Sequence, residues 1–298
     1  MGEFVVHGSA QRRVRTTGTR NPDRVGRHSV PVTDPPWPTP PHRTWRPPNP
    51  PTTLATELAT AAGELLVDLR VRRTTEGVTG SMLKDEGDRA SHEYLMERFA
   101  ERLAAGDAVL SEEGRDDPRR LEVDRVWIVD PLDGTREFGE PPRTDWAVHV
   151  ALTVDGVPAA GAVALPALGI TLGTSPAPPM PGPIPFKPRV IVSRSRPPAA
   201  ATHVAEALGA DLVELGSAGA KAMAILRGEA DVYVHAGGQY EWDSCAPVAV
   251  ALAAGLHCSR IDGSPLRYNR VDAYLPDLLI CRPELASPCL AALADAPS

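Results

Sequence analysis

Residues 130–135 read Asp-Pro-Leu-Asp-Gly-Thr and follow an apolar, strand-like run at 125–129. Two carboxylates and a hydroxyl therefore stand on a tight turn at the end of a buried strand. Hard divalent cations prefer oxygen donors of this kind, and an open site lets them share a phosphate with the protein. Asp-Pro and Asp-Gly are also common turn formers, so plain turn chemistry is the competing reading. Upstream, Glu112 and Glu113 follow the apolar residues 108–110. Glu113 reads as a solvated acid, whereas Glu112 sits where neighbouring strand ends gather side chains at one sheet edge. Far downstream, residues 241–247 read Glu-Trp-Asp-Ser-Cys-Ala-Pro. Asp243 is placed as a helix N-cap with Pro247 in the first turn, a role compatible with metal ligation. Glu112, Asp130, Asp133 and Asp243 are of the type and number that a pair of cations needs.

The elements that must position these residues are legible in outline. The 298-residue chain is 42% hydrophobic and 23% charged, a globular composition with room for a sizeable core. Residues 1–51 hold eleven prolines, eight arginines and three acids, a charge of +5, against −12 for the remainder. A basic tail on an acidic body argues against nucleic-acid binding by the body, while metal ions would let an acidic enzyme take an anionic substrate. Residues 1–53 lack hydrophobic period and are expected to be a disordered extension, with a proline-rich docking tail or an upstream start site as alternatives. An amphipathic helix is expected over 54–70, and a second one behind Asp88 as its N-cap. Strands are expected at 108–110, 125–129, 146–153 and around 161–165. A connection with seven prolines follows at 174–188. Beyond it, strands at 190–192, 211–215 and 230–234 alternate with helices at 199–208, 218–226 and 243–254. This alternation implies an α/β layer structure, with residues 54–173 and 189–298 as its two halves.

The four cysteines, Cys245, Cys258, Cys281 and Cys289, match no zinc spacing and read as core residues of a reduced, cytoplasmic protein. No run approaches a membrane span, and the N-terminus has no apolar core of a secretory signal, which argues against export. His149 and His235 read as core or edge histidines. Residues 262–265 read as a turn between strands, with Arg267 and Tyr268 as weak candidates for a pocket wall.

The hexapeptide at 130–135, Glu112-Glu113 before it and Trp242-Asp243-Ser244-Cys245-Ala246-Pro247 after it together resemble the inositol monophosphatase superfamily. Within that superfamily the chain is most similar to the CysQ-like 3′(2′),5′-bisphosphate nucleotidases. Supporting segments are 110–113, Val192-Ser193-Arg194-Ser195 and Gly216-Ser-Ala-Gly-Ala-Lys-Ala-Met223. The resemblance covers roughly residues 54–295. It implies a layered sandwich of alternating helices and sheets in two sub-domains. It also implies a lithium-sensitive phosphatase linked to sulfur assimilation, using two or three Mg²⁺ ions held by Glu112, Asp130, the Leu132 carbonyl, Asp133 and Asp243. Asp88 maps onto a further acidic motif, though the threonine usual just before it is absent here. Thr135, Glu112 and Asp88 would then orient and deprotonate water, and the Gly134 and Thr135 N–H groups would face phosphate oxygens. Ser193, Arg194, Ser195, Ser217 and Lys221 would lie near the nucleotide. Lys221 is the only polar group on an apolar turn and is suited to a second phosphate, although an exposed helix lysine is the ordinary alternative. The expected substrate is adenosine 3′,5′-bisphosphate, together with its sulfated relative 3′-phosphoadenylyl sulfate. Inositol phosphate or fructose 1,6-bisphosphate are the alternatives within the superfamily, and a catalytically silent metal-binding protein is the alternative outside it. Homodimerisation is a further implication of the resemblance.

Overall fold

Helix α1 (Pro51–Thr75) starts where the proline-rich stretch ends, with Pro51 at its first turn, where a missing N–H removes no helical bond. The computed structural model describes residues 50–296. Positions 1–49 of the expected extension lie outside the described residues, and 50–53 belong to the start of α1 rather than to that extension. Helix α2 (Gly80–Arg102) buries Leu83, Gly87, Ser91, Leu95 and Phe99, a stripe at four-residue spacing. That stripe carries the helix two turns further upstream than expected. Asp88 is therefore not its N-cap, a position held by Thr79.

Strands β1 (Ala108–Ser111), β2 (Arg125–Asp133), β3 (Ala147–Val154), β4 (Val157–Leu165) and β5 (Ile170–Gly173) form one sheet in chain order. The second sheet is built from β6 (Arg189–Ser193), β7 (Asp211–Leu215), β8 (Val232–Tyr240), β9 (His257–Ser259) and β10 (Tyr274–Cys281), in the order β7-β6-β8-β10-β9. Helices α4 (Ala199–Leu208), α5 (Ala218–Leu226), α6 (Glu241–Ala253) and α7 (Ala286–Ala294) complete the layers, with the single turn α3 (Thr135–Phe138) between β2 and β3.

Side-chain alternation sorts these elements into five layers. Trp127 and Val129 of β2 pack with α1 and α2, whereas Val126 and Ile128 pack with α5, α6 and the inner face of the second sheet. Val190 and Val192 face α4 and α7 on the far side, and Ile191 faces inward. The order is helix, sheet, helix, sheet, helix. Strand β5 and helix α7 were not expected from the sequence, and β9 and β10, the strands on either side of the turn at 262–265, were expected without bounds; β5 and β9 are only four and three residues long. Both are too short to declare a period of two.

Gly87 sits where α2 crosses the turn that carries the acidic motif. A Cβ there would meet the Phe138 ring at 2.6 Å and Leu132 Cδ2 at 2.9 Å. Both partners are buried, so neither can swing aside. Gly87→Ala should therefore lower unfolding free energy by about 1–3 kcal/mol, despite alanine's better helix propensity. Denaturant titration of wild type and variant measures this, and an unchanged or raised midpoint would contradict the contact.

Candidate metal and phosphate site

Strand β2 does not end before the acidic motif as expected; it runs through Asp133. Three residues separate Asp130 from Asp133, a spacing that puts side chains on opposite faces of a regular strand. The ladder with β3 resolves this. Asp130 pairs with His149 and Asp133 with Ala147, so three steps on β2 match two on β3, which is a bulge. Leu132 is thereby turned toward α1 and α2, and both aspartates toward α5 and α6. Asp130 Oδ1 accepts the Leu132 N–H at 3.0 Å, and Ser91 Oγ donates to the Pro131 carbonyl at 2.6 Å. The hexapeptide is held from within and from α2.

Asp133 is the junction of the site. It accepts from Ser217 Oγ at 2.5 Å, from the Ala218 N–H at 3.0 Å and from the Gly219 N–H at 2.6 Å, all at the start of α5. His149 Nε2 lies 3.1 Å from the same carboxylate, close enough for an ion pair though out of line for a hydrogen bond. The other ring nitrogen of His149 meets the Trp242 carbonyl at 3.0 Å. Burial alone would raise the pKa of Asp133, but His149, Ser217 and the α5 N–H groups outweigh it and hold the carboxyl down to about 2. For His149, burial works to lower the pKa, and Asp133 reverses this to a net rise.

Asp243 joins from the opposite layer. Helix α6 begins at Glu241 with Tyr240 as its cap, so Asp243 is the third helical residue and not the N-cap. Its Oδ2 reaches back to accept the Tyr240 N–H at 2.6 Å. Pro247 accordingly stands in the second turn, not the first. One oxygen from each of Asp130, Asp133 and Asp243 forms a group within 4.8 Å of one another. Glu112 follows β1, the parallel neighbour of β2, and its N–H bonds the Val129 carbonyl at 3.2 Å. Glu112 as a whole is exposed, yet its carboxyl is drawn in against Asp130.

Crowding these acids disturbs their titration. Burial, then the charges of Glu112, Asp133 and Asp243, push Asp130 well above the usual carboxyl range. Burial is also the main reason that Glu112 and Asp243 rise to about 7. An all-oxygen cluster whose members resist ionising together fits a hard divalent cation, which would relieve the repulsion.

Thr135 Oγ1 has two acceptors at 3.1 Å, Asp88 Oδ1 and the Leu132 carbonyl. Asp88 is thus brought to the site from the middle of α2, and burial followed by the charge of Glu113 raises it to about 7. Gly134 adopts a left-handed conformation (φ +86°) against Ser217, Asp145 and Trp146, where a Cβ would come within 2.9 Å of Ser217 Cβ. Glycine is needed there both for its backbone and for its lack of bulk.

The other expected substrate residues lie further out. Arg194 donates to Glu137 Oε1 at 2.9 Å and to Glu140 Oε2 at 3.3 Å, which carries residues 193–195 to the rim of the motif. Ser193 and Ser195 hydroxyls are 3.5 Å apart, and Ser195 is exposed. Lys221 is not an exposed lysine: it is buried, and its Nζ donates to the Gly216 and Ser217 carbonyls at 3.2 and 2.7 Å. Burial lowers its pKa. Tyr268 is buried, with its hydroxyl 3.2 Å from Ser244 Oγ.

Three residues of the site were given no role by sequence reasoning. His149 was read as core, and only the pairing of β3 with β2 reveals that it faces Asp130. Asp145 accepts the Gly216 N–H at 2.5 Å, and Glu137 is packed beneath Gly216 while pairing with Arg194. No local pattern around either acid marks it.

The family model for the inositol monophosphatase family matches residues 49–176 and 189–295. The chain is 52% identical over 249 residues to a Mycobacterium tuberculosis protein named 3′-phosphoadenosine 5′-phosphate phosphatase, covering 79% of this chain and 90% of that one. It is 31% identical over 202 residues to the 3′(2′),5′-bisphosphate nucleotidase CysQ of Escherichia coli K12, covering 63% and 80%. Among solved structures it is similar to CysQ from Bacteroides thetaiotaomicron, with a TM-score of 0.66, 26% identity and coverage of 78% and 96%. Among the described residues no helix is long and apolar enough to cross a membrane.

Acids whose folded pKa is raised stabilise the fold when protonated, so that contribution is lost as pH rises through about 7 for Asp88, Glu112 and Asp243. His235, lowered to about 4, works in the opposite sense, but only below its ordinary value of 6.5. In EDTA, Tm should therefore fall between pH 6.5 and pH 8, and added Mg²⁺ should flatten that decline. A metal-free Tm that holds level or rises across this interval would count against the crowded-acid description.

Proposed function

Because the chain belongs to the inositol monophosphatase family, we propose that it is a Mg²⁺-dependent phosphatase that removes the 3′-phosphate of adenosine 3′,5′-bisphosphate. The observation that carries the reading is the convergence of Asp130, Asp133 and Asp243 within 4.8 Å, beside the Thr135–Asp88 hydrogen bond. The choice of nucleotide is supported by the names of the M. tuberculosis and E. coli relatives. 3′-Phosphoadenylyl sulfate has the same 3′-phosphate and belongs to the same proposal. Four free cysteines are consistent with work in the cytoplasm.

Glu112, Asp130, the Leu132 carbonyl, Asp133 and Asp243 would hold two or three Mg²⁺ ions, whose chemistry when bound is to neutralise phosphate charge and acidify water. Thr135 Oγ1 orients the attacking water and, through its bond to Asp88, links that water to a carboxyl poised near neutrality. Glu112, beside Asp130, is the second acceptor for the proton. The N–H groups of Gly134 and Thr135 hold the phosphate oxygens. Asp133 keeps its charge because α5 and His149 stabilise it, which leaves the protonation changes to Asp88 and Glu112.

The second phosphate and the ribose belong to Ser193, Arg194, Ser195, Ser217 and Lys221. Arg194 serves by leaving Glu137 and Glu140 for a stronger anion. Lys221 has a third donor beyond its two carbonyl bonds. In this assignment the half before residue 174 supplies most of the cation ligands, Asp243 completes them from the half after 188, and that second half also selects the substrate.

Phosphate release from adenosine 3′,5′-bisphosphate, inositol 1-phosphate and fructose 1,6-bisphosphate, compared as kcat/KM, tests the substrate. The nucleotide should be highest, and a clear preference for inositol phosphate would overturn it. EDTA should abolish turnover, and lithium should inhibit it. Thr135→Ala should lower kcat at least about 100-fold with little change in KM; near-normal kcat would remove Thr135 from the chemistry. Asp133→Asn that turned over normally would likewise remove Asp133 from the ligand set.

A further inference from the structure

Among the described residues, few aromatic rings are exposed. Only 5% of the chain's residues are aromatic, and Tyr240 and Tyr274, at 44% and 38% exposure, are among the few described rings that face solvent. They are also in contact with each other. Tyr240 stacks on Trp242 with ring centroids 4.9 Å apart and planes 8° from parallel, and Tyr274 meets Tyr240 edge-on at 5.8 Å. The cluster is fixed by the second sheet, where Tyr240 ends β8 directly opposite Tyr274 at the start of β10. The Tyr274 hydroxyl accepts the Gly238 N–H at 3.1 Å, which ties the end of β8 to the ring group. Gly237 and Gly238, both in left-handed conformations, leave open space beside them: a Cβ on either would meet nothing within 4 Å.

This ledge is continuous with the carboxylate cluster. The backbone N–H of Tyr240 donates to Asp243 Oδ2 at 2.6 Å, and the carbonyl of Trp242 takes the His149 ring at 3.0 Å. One face of the Tyr240 ring is covered by Trp242, and its exposure leaves the remainder of the ring to the outside. A flat, preassembled aromatic surface joined through its own backbone to a carboxylate of the site matches a nucleobase, since stacking needs only a π-face and ordered rings forfeit little entropy on binding.

We propose that Tyr240, backed by Trp242 and braced by Tyr274, is the platform on which the adenine ring of the substrate stacks while its phosphate is held at the carboxylates. The proposal rests on the nucleotide-phosphatase reading and supplies the base recognition that the residues named there do not. Tyr240 is a specificity residue in this scheme. It touches the base and takes no part in proton transfer.

Kinetics on two substrates test it, one with the base, adenosine 3′,5′-bisphosphate, and one without, glycerol 2-phosphate. Tyr240→Ala and Tyr240→Leu should each raise KM for the nucleotide about tenfold, with kcat within about twofold. Tyr240→Phe, which keeps the ring, should restore the wild-type KM. KM for glycerol 2-phosphate should move less than about twofold in all three variants. Equal KM increases on both substrates, or an unchanged nucleotide KM in Tyr240→Ala and Tyr240→Leu, would overturn the platform while leaving the phosphatase reading intact. Failure of the wild-type enzyme to turn over the nucleotide would instead overturn that reading. A ligand measurement on the unmodified enzyme stands beside the variants: adenosine 5′-monophosphate should inhibit at about tenfold lower concentration than ribose 5-phosphate. Equal inhibition by the two would also count against a base platform.

Discussion

A buried carboxylate must be surrounded by donors or lose its charge, and the rest of this site depends on how Asp133 meets that constraint. Its donors come from Ser217, Ala218 and Gly219, with His149 alongside. None of these lies within 13 residues of it in sequence. The bonds that keep Asp133 ionised are therefore the same bonds that fasten the first sheet to α5. His149 continues the connection to the Trp242 carbonyl, next to Asp243. The acid cluster and the packing of the central helix layer are one structure.

That arrangement has an electrostatic consequence. Burial is the main cause that shifts Asp130, Glu112 and Asp243 upward, and the negative charge fixed at Asp133 adds to each rise. Groups held in unfavourable protonation states by burial and like charge are a mark of functional sites, where stability is given up for reactivity. Here the strain has an evident use, since a divalent cation would both relieve the repulsion and be retained by it. The Thr135–Asp88 bond is positioned differently, through α2.

The groups proposed to meet the substrate are held with looser constraints. Lys221 spends donors on the Gly216 and Ser217 carbonyls, shaping the turn that precedes α5, where Ser217 has a positive φ of 43°. Such a conformation costs a non-glycine residue energy and persists only where neighbours impose it. Arg194 is restrained by Glu137 and Glu140 at the rim, and the aromatic ledge lies on the other flank at Asp243. Lys221 is tied to the acidic motif through the start of α5, whereas Tyr240 is set by the pairing of β8 with β10.

The sequence by itself determined which side chains could do chemistry: the Asp-Pro-Leu-Asp-Gly-Thr run, Glu112 at a strand end and Asp243 ahead of Pro247. It also determined most helices and strands, because hydrophobic period and glycine stops are local properties. What only the tertiary structure decided is who faces whom. Asp130 and Asp133 share a face because of a bulge that their spacing argues against. Asp88 sits in mid-helix because a buried stripe carries α2 back to Gly80, and Asp243 is third in α6 because Tyr240 takes the cap. His149, Asp145 and Glu137 carry no local signature, and each acquires its role from a partner on another layer. The physical reason is one of range: propensity and period are written within a turn or two of chain, whereas the charge of a buried acid is set by donors that only folding brings near it.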